Sequence, residues 1–337
     1  MSGLFETRYD VLAIGNAIVD VLAATEDDFL VAEKLAKGTM HLIDAERAET
    51  LHRAISARAI EKSGGSAGNT AAGIASLGGH AAFIGKVADD PLGVLYRRDM
   101  HETGVAFDTP PLAGGAPTAR SMILITPDGE RTMNTYLGAC QSLGPGDIDP
   151  AVVSASAVTY LEGYLWDPPE AKKAFIKAAE IAHEAGRKVS LTLSDPFCVD
   201  RYRGEFIELI RWKTVDILLA NESEVKSLYQ TGDLATAAEA LRAEGVDAAV
   251  TVGADGALVV TAAGVRAVKA ESVDRVADLT GAGDLFASGF LFGAVRGLDL
   301  AEAARLGNIA AAEVIGHIGP RPAVSLKALA AKAGFAF

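Results

Sequence analysis

Asp278-Leu-Thr-Gly-Ala-Gly-Asp-Leu-Phe-Ala-Ser-Gly-Phe290 is the stretch that decides how this chain is read. It opens on two oxygen carriers, Asp278 and Thr280, and turns through Gly281, Ala282 and Gly283. It then runs into an apolar segment, 285–295, long enough for about three helical turns. Glycines ahead of a helix leave backbone N–H groups without an internal partner, at the end that carries the positive pole of the helix dipole. Such an end is a natural anion site. Asp284, in the first turn, is then either a cap on a buried helix or a carboxylate that takes a proton from a nucleophile attacking a phosphate. A single Gly-Ala-Gly-Asp recurs too often by chance to choose between them.

The 337 residues exceed the usual size of one domain, so a large domain with a smaller appendage is expected. An apolar half and 22% charged residues give ample material for a core. A net charge of −13 argues against a nucleic-acid partner, which needs a basic stripe to neutralise its phosphates. A small phosphorylated ligand needs only local donors. Residues 1–10 show neither a basic nor an apolar leader, and no apolar run reaches membrane-spanning length, so a cytoplasmic protein without membrane insertion is expected. Cys140 and Cys198 are read as two reduced thiols.

Working outward from the signature, residues 10–15 read as a short buried strand ending at Gly15, followed by Asn16 and Asp20. Asp20 interrupts an apolar run, and a carboxylate there is either turned to the surface or held by a hydrogen-bonding partner. A helix is expected over 44–59. Ser63-Gly-Gly-Ser-Ala-Gly-Asn-Thr70 then opens a small-residue helix, whose glycines serve either tight packing or close approach of a ligand. Asn69 offers both a donor and an acceptor to a hydroxyl-rich ligand. No GxxxxGK[ST] occurs: the nearest miss, Gly79 to Lys86, is one residue too long and places Val87 where the hydroxyl belongs. The absence of GxGxxG after the first strand weighs against a nicotinamide dehydrogenase.

Between 107 and 137 the texture changes. Residues 118–126 and 131–137 flank Pro127-Asp-Gly-Glu130, a hairpin signal. With strands near 17–24 and 39–43 this predicts a small separate sheet. The expected division is a large α/β domain over 1–16, 44–106 and 138–337, and a small β lid over 17–43 and 107–137. Beyond Cys140, apolar strands at 157–161, 188–193, 216–220, 248–252 and 257–260 alternate with helical segments such as 169–185 and 235–244. This predicts a mostly parallel sheet covered on both faces, with ligands at the carboxyl ends of its strands. Those ends carry Leu193-Ser-Asp-Pro-Phe197, Asn221-Glu-Ser-Glu224 and Thr251-Val-Gly-Ala-Asp-Gly256.

With these motifs in this order, the chain resembles the ribokinase (PfkB) family of carbohydrate and nucleoside kinases over almost its full length. Asp278–Asp284 resembles the family's C-terminal signature, Gly64-Gly65 with Asn69 its N-terminal one, and Asn221-x-x-Glu224 its NxxE motif. Within the family it looks nearest to the adenosine kinase branch. The cues are Gly15-Asn16 through Asp20, Ser66, the 192–197 stretch, Asp128-Gly-Glu-Arg-Thr132 and Val215 through Glu222. Asp195, where that branch shows a small residue, and Leu279, where the signature carries a polar one, depart from the pattern.

The resemblance implies a ribokinase-like fold and ATP-dependent transfer of a phosphoryl group to a primary hydroxyl, most nearly the 5′-OH of adenosine. Asp284 would be the general base, and the Gly281-Ala282-Gly283 turn would hold the developing charge with the N–H groups of Ala282, Gly283 and Asp284. Asn16, Asp20, Gly64, Gly65, Ser66, Asn69, Arg131, Met133, Leu137 and Leu165 would bind the acceptor. Of these, Asp20, Gly65 and Asn69 would meet ribose hydroxyls, Arg131 would sit in the lid near the transferred phosphate, and Met133, Leu137 and Leu165 would favour an apolar base. Asn221, Thr251, Gly253, Gly256 and Asn308 would border ATP. Glu224 would act on Mg2+ through water, and Asp278 and Thr280 match positions that bind K+ in activated members. The partner would be a small-molecule nucleoside or sugar, and the protein a monomer or homodimer. A sugar kinase acting on ribose or fructose is the nearest alternative, and a non-catalytic nucleoside-binding regulator the alternative of another class.

Overall fold

The structure, a computed structural model, describes residues 7–337. Residues 1–6, read above as free of a targeting segment and assigned to the large domain, lie outside the described residues. In chain order the strands are β1 (Tyr9–Ile14), β2 (Ile18–Ala24), β3 (Met40–Leu42), β4 (Ile60–Ser63), β5 (Ala81–Ile84), β6 (Val105–Ala106) and β7 (Ala119–Ile125). They continue with β8 (Arg131–Tyr136), β9 (Ser156–Glu162), β10 (Lys188–Thr192), β11 (Ile217–Asn221), β12 (Asp247–Thr251), β13 (Ala257–Thr261) and β14 (Gly264–Val268).

Nine strands form the large sheet, in the order β14-β13-β12-β11-β10-β9-β1-β5-β6. β1 shows why the apolar run reads as a central strand: all six residues are buried, and alternate side chains enter different cores. Val11 and Ala13 pack in the cluster that holds Ile74, Phe286 and Phe290, from the helices Ser66–Ser76 and Ala282–Val295. Leu12 and Ile14 pack in the one that holds Phe175 and Ala178, from Pro169–Glu184. A period of two distributed between two helical layers gives a strand apolar at every position.

The sheet is parallel from β6 across to β12. The expected strand at 257–260 runs antiparallel to β12, with the turn Gly253–Asp255 between them, and β14 adds a second antiparallel edge. So short a link reverses the chain and leaves no room for the crossover that a parallel neighbour requires. β1 lies between β9 and β5, where the strand order reverses, so the crevice beyond its carboxyl end is the expected binding position in an open sheet.

Five strands, β3-β8-β7-β2-β4, make the second sheet. Its β7–β8 hairpin is antiparallel, as the Pro127-Asp-Gly-Glu130 turn requires. It also takes elements the sequence reading gave to the large domain. The helix over 44–59 stops at Ile55, and after a short turn β4 pairs with β2. Leu51 and Ile55 of that helix pack with Val19, Val21, Met122 and Leu124 against one face of the small sheet. No helix among the described residues is long and apolar enough to cross a membrane.

Candidate active site

The helix Ala282–Val295 begins at Gly281, whose φ of 84° is open to glycine and costly for a side chain, and whose missing Cβ leaves room for Pro320. The Ala282 N–H bonds to the Leu279 carbonyl at 3.2 Å, so it is not one of the free anion-site donors that the sequence reading expected. Gly283 and Asp284 keep backbone N–H groups without an acceptor among the described residues, and the space beside Gly283 is open. This is the geometry of an anion site at a helix start.

Asp284, half-buried in the first turn, is gripped by the other glycine-rich helix. Ser66 Oγ donates to its Oδ1 at 2.6 Å, Asn69 Nδ2 donates to its Oδ2 at 2.9 Å, and Thr70 Oγ1 donates to its carbonyl at 3.2 Å. The two helices approach closely enough for this because Gly73 packs on Ser288, where a Cβ would come within 2.4 Å of Oγ. Burial raises the Asp284 pKa from the ordinary carboxylate value, and the Ser66 and Asn69 hydrogen bonds oppose it.

The Gly64-Gly65 pair admits two groups. A Cβ on Gly64 would fall 2.3 Å from Asp20 Oδ2, and one on Gly65, at φ 83°, would fall 2.3 Å from the Asn16 carbonyl. Burial pushes the Asp20 carboxyl up to about 7, against the pull of Arg321 and Arg131. Asn16 is buried, donates Nδ2 to Glu162 at 2.7 Å, and leaves its Oδ1 without a partner among the described residues. An orphaned acceptor in a crevice suits a ligand hydroxyl.

Glu162 was not singled out in the sequence, yet it is 1% exposed at the end of β9 and ties this wall together. Besides Asn16 it accepts from the Ala67 N–H at 2.8 Å, capping the Ser66–Ser76 helix, and burial pushes it to about 7. A carboxylate closing an apolar strand just before Gly163 was the available signal.

The small sheet turns one face toward these groups. Pairing registers place Asp20, Ser121 and Thr135 in one row, Leu22, Ile123, Met133 and Met40 in the next, and Ala24, Ile125 and Arg131 in the third. Met40 and Leu42, which the sequence reading passed over, lie on this same face and are 51% and 57% exposed. Arg131 crosses from the sheet to Asp278, 2.6 Å away, and to Thr280 Oγ1 at 3.4 Å. Leu137 stands half-buried just beyond β8. Leu165 is a correction: its side chain is fully buried in the large-domain core with Leu143, Trp166 and Leu193, so it is packing rather than pocket lining.

The expected K+ position does not fit that cation. Asp278 Oδ1 accepts the N–H and hydroxyl of Thr280 at 3.0 and 2.8 Å. Its Oδ2 accepts the Gly319 N–H at 2.9 Å and faces the Arg131 guanidinium. The carboxylate is saturated and already carries a cation.

Along the same sheet edge, Asn221 and Glu224 form a reciprocal cap on the helix Glu222–Leu228. Asn221 Oδ1 accepts the Glu224 N–H at 2.9 Å, and Glu224 accepts the Asn221 N–H at 2.9 Å and Nδ2 at 2.5 Å. Burial pushes Glu224 up to about 7, with Asp195 adding to the rise. Asp195 itself caps the Pro196–Arg211 helix, accepting from the Cys198 N–H at 2.6 Å. Thr251 pairs with Asn221 across β12 and β11, and Gly253 beyond it faces open space. Gly256, at φ 98°, lies against the Val268 carbonyl, where a Cβ would be only 2.1 Å away. Asn308 spends its donors on the Val268 and Lys269 carbonyls at 3.4 and 2.9 Å, bracing that wall rather than pointing free amide hydrogens outward.

A carboxylate at a helix start with free N–H donors, in the crevice of a parallel sheet and beside a second sheet, suits transfer of a phosphoryl group to a hydroxyl, and similarity to known proteins places the chain among phosphotransferases acting on hydroxyl groups. The chain belongs to the pfkB family carbohydrate kinases, whose family profile matches residues 34–326. Among solved structures it is similar to the adenosine kinase from Sinorhizobium meliloti, at 56% identity and a TM-score of 0.90 over 97% of this chain and all of that one. It is similar, too, to a probable sugar kinase from Rhizobium etli CFN 42, at 53% identity and a TM-score of 0.90 over 97% and 99% of the two chains. An ATP-dependent ribose-1-phosphate kinase from Halopiger xanaduensis is 33% identical over 80% of this chain and 86% of its own.

Proposed function

We propose that this kinase transfers the γ-phosphoryl group of ATP to the 5′-hydroxyl of a nucleoside, adenosine foremost, giving the nucleoside monophosphate. The observation that carries the reading is Asp284, held by Ser66 and Asn69 beside the unpaired Gly283 and Asp284 N–H groups and opposite an apolar lid face. The acceptor hydroxyl would give its proton to Asp284 as its oxygen bonds to the γ-phosphorus and ADP leaves. Negative charge on the transferred group would fall on the two N–H donors, with Arg131 beside them. Phosphoryl transfer needs mainly such positioning and charge stabilisation.

Asp20 and the free Asn16 Oδ1 suit ribose hydroxyls, and Leu22, Met40, Leu42 and Met133 suit a flat base. The 56% identity with a protein named adenosine kinase supports this choice. The small sheet, with β4 and the Ala45–Ile55 helix included, would act as the lid that excludes competing water. ATP would lie along the Asn221, Thr251 and Gly253 edge, with Gly256 and Asn308 shaping its wall. The described residues contain no cluster of three ligands able to hold a metal alone. Mg2+ would therefore be carried by the phosphates and water, with Glu224 as an outer acceptor, and would supply charge neutralisation.

The names of the ribose-1-phosphate kinase and the probable sugar kinase favour a sugar acceptor as the second reading. Comparing kcat/KM for adenosine, inosine, ribose, fructose and ribose 1-phosphate separates the two. A preference for adenosine supports the proposal, and a preference for any free or phosphorylated sugar overturns the acceptor assignment.

A further inference from the structure

Arg321 carries a guanidinium that no carboxylate contacts directly among the described residues. It is half-buried, and among the described residues it forms no ion pair within 4.0 Å. Its Nε donates to Asn69 Oδ1 at 3.4 Å, and an Nη contacts Met100 Sδ at 3.5 Å. The same Nη lies beside Gly68, where an added Cβ would be 3.9 Å from it. Burial without a carboxylate in direct contact costs this arginine hydration that Asp20 and Asp99, acting from beyond ion-pair distance, offset only in part.

The backbone shows what the position achieves. Gly319 donates its N–H to Asp278 Oδ2 at 2.9 Å, and Pro320 fills the space left by Gly281. Arg321 stands between Pro320 and Pro322, which restrict the chain to an extended course. One short loop thus touches the signature turn and the Ser66–Ser76 helix together. Asn69 has one acceptor and one donor group: with Oδ1 taken by Arg321, Nδ2 must face Asp284.

We propose that Arg321 is a positioning residue, which fixes the Asn69 amide in the orientation that donates to Asp284 and so aims the carboxylate at the acceptor hydroxyl. The catalytic consequence rests on the kinase reading given above; the amide geometry does not. The charged and titratable groups around Arg321 are Asp20 on β2, and Tyr96 and Asp99 on the Pro91–Glu102 helix. The same guanidinium pulls the Asp20 pKa down against burial, while Asp284 raises it and Arg131 also lowers it.

A double-mutant cycle of Arg321→Met and Asn69→Ala tests the coupling, with the wild type's preferred acceptor as substrate. Arg321→Met alone is expected to lower kcat roughly 10- to 100-fold with KM for ATP unchanged. In the Asn69→Ala background it is expected to cost less than about 2-fold, because both changes remove one contact. Additive losses would overturn the proposal. Arg321→Lys is the milder variant should the methionine fail to fold, and the same non-additivity is expected of it. Amide NMR of the ligand-free protein decides the geometry without turnover. The Asn69 side-chain NH2 signals should move in Arg321→Lys, and unchanged signals contradict the proposal even if every acceptor tried is inert.

Discussion

Asn69 donates its side-chain amide to Asp284 at 2.9 Å, joining two helix starts 215 residues apart in the chain. Both helices open on glycines, and both aim their first turns into the crevice beside β1. The hydrogen bond converts two weak sequence motifs into one site.

Ser66→Ala tests how the carboxylate is tuned. The Ser66 hydroxyl lowers the Asp284 pKa against the rise caused by burial. A base must be ionised, so loss of the hydroxyl moves the acid limb of the kcat profile to higher pH and lowers kcat by about 10-fold at neutrality. A pH–rate profile checks this. An unshifted limb removes Asp284 from the titration.

Much of this site was legible because its parts are short and chemically distinctive. Gly64-Gly65, Asn69, Gly281 and Asp284 announce close approach, a free helix start and a carboxylate. The hairpin was legible from its Asp-Gly turn. Glu162 and Arg321 were not, since each acts through partners about 95 and 252 residues away that only the fold brings near. β4 was obscured because its Ile-Glu-Lys-Ser follows a helix with no turn signal strong enough to mark a strand. Leu165 misled because an apolar residue at a strand end serves a core or a pocket equally well, and packing decides.

Gly64→Ala should separate acceptor binding from ATP binding. The new Cβ would fall 2.3 Å from Asp20 Oδ2, well inside contact distance, and displace the carboxylate. KM for the acceptor should rise by about 10-fold or more while ATP affinity stays within roughly 2-fold. Steady-state kinetics with each substrate varied in turn reads both, and an unchanged acceptor KM contradicts the placement of Asp20.

Arg131→Met removes the cation that crosses from the small sheet to Asp278, a pair in which both side chains are nearly buried, at 11% and 4% exposure. On the proposed mechanism turnover should fall by about 100-fold, since the small sheet loses its tie to the signature turn and the transferred phosphoryl group would lose a neighbouring charge. Rates equal to wild type in ADP release would show that this crossing contributes nothing to the reaction.

Stability should fall as pH rises. Asp20, Glu162 and Glu224 have folded pKa values raised to about 7 from ordinary values of 3.8, 4.5 and 4.5. Between those limits the folded state binds more protons than the unfolded chain, so stability is greatest below the unfolded values and is lost as pH rises through about 7. Glu162→Gln removes one of the three titrations. Its melting temperature should decline less than that of wild type between about pH 5 and 8; parallel declines in the two proteins would contradict the role of Glu162.

The most direct test is phosphorus NMR of the products formed from ATP, Mg2+ and adenosine by the wild type and by Asp284→Asn. The account predicts adenosine 5′-monophosphate and ADP from the wild type. The variant should lose about 100-fold or more in rate while still binding ATP. A phosphorylated nucleoside formed equally fast by the variant would contradict Asp284 as the base. No nucleoside phosphate from an enzyme that readily phosphorylates a sugar would contradict the acceptor.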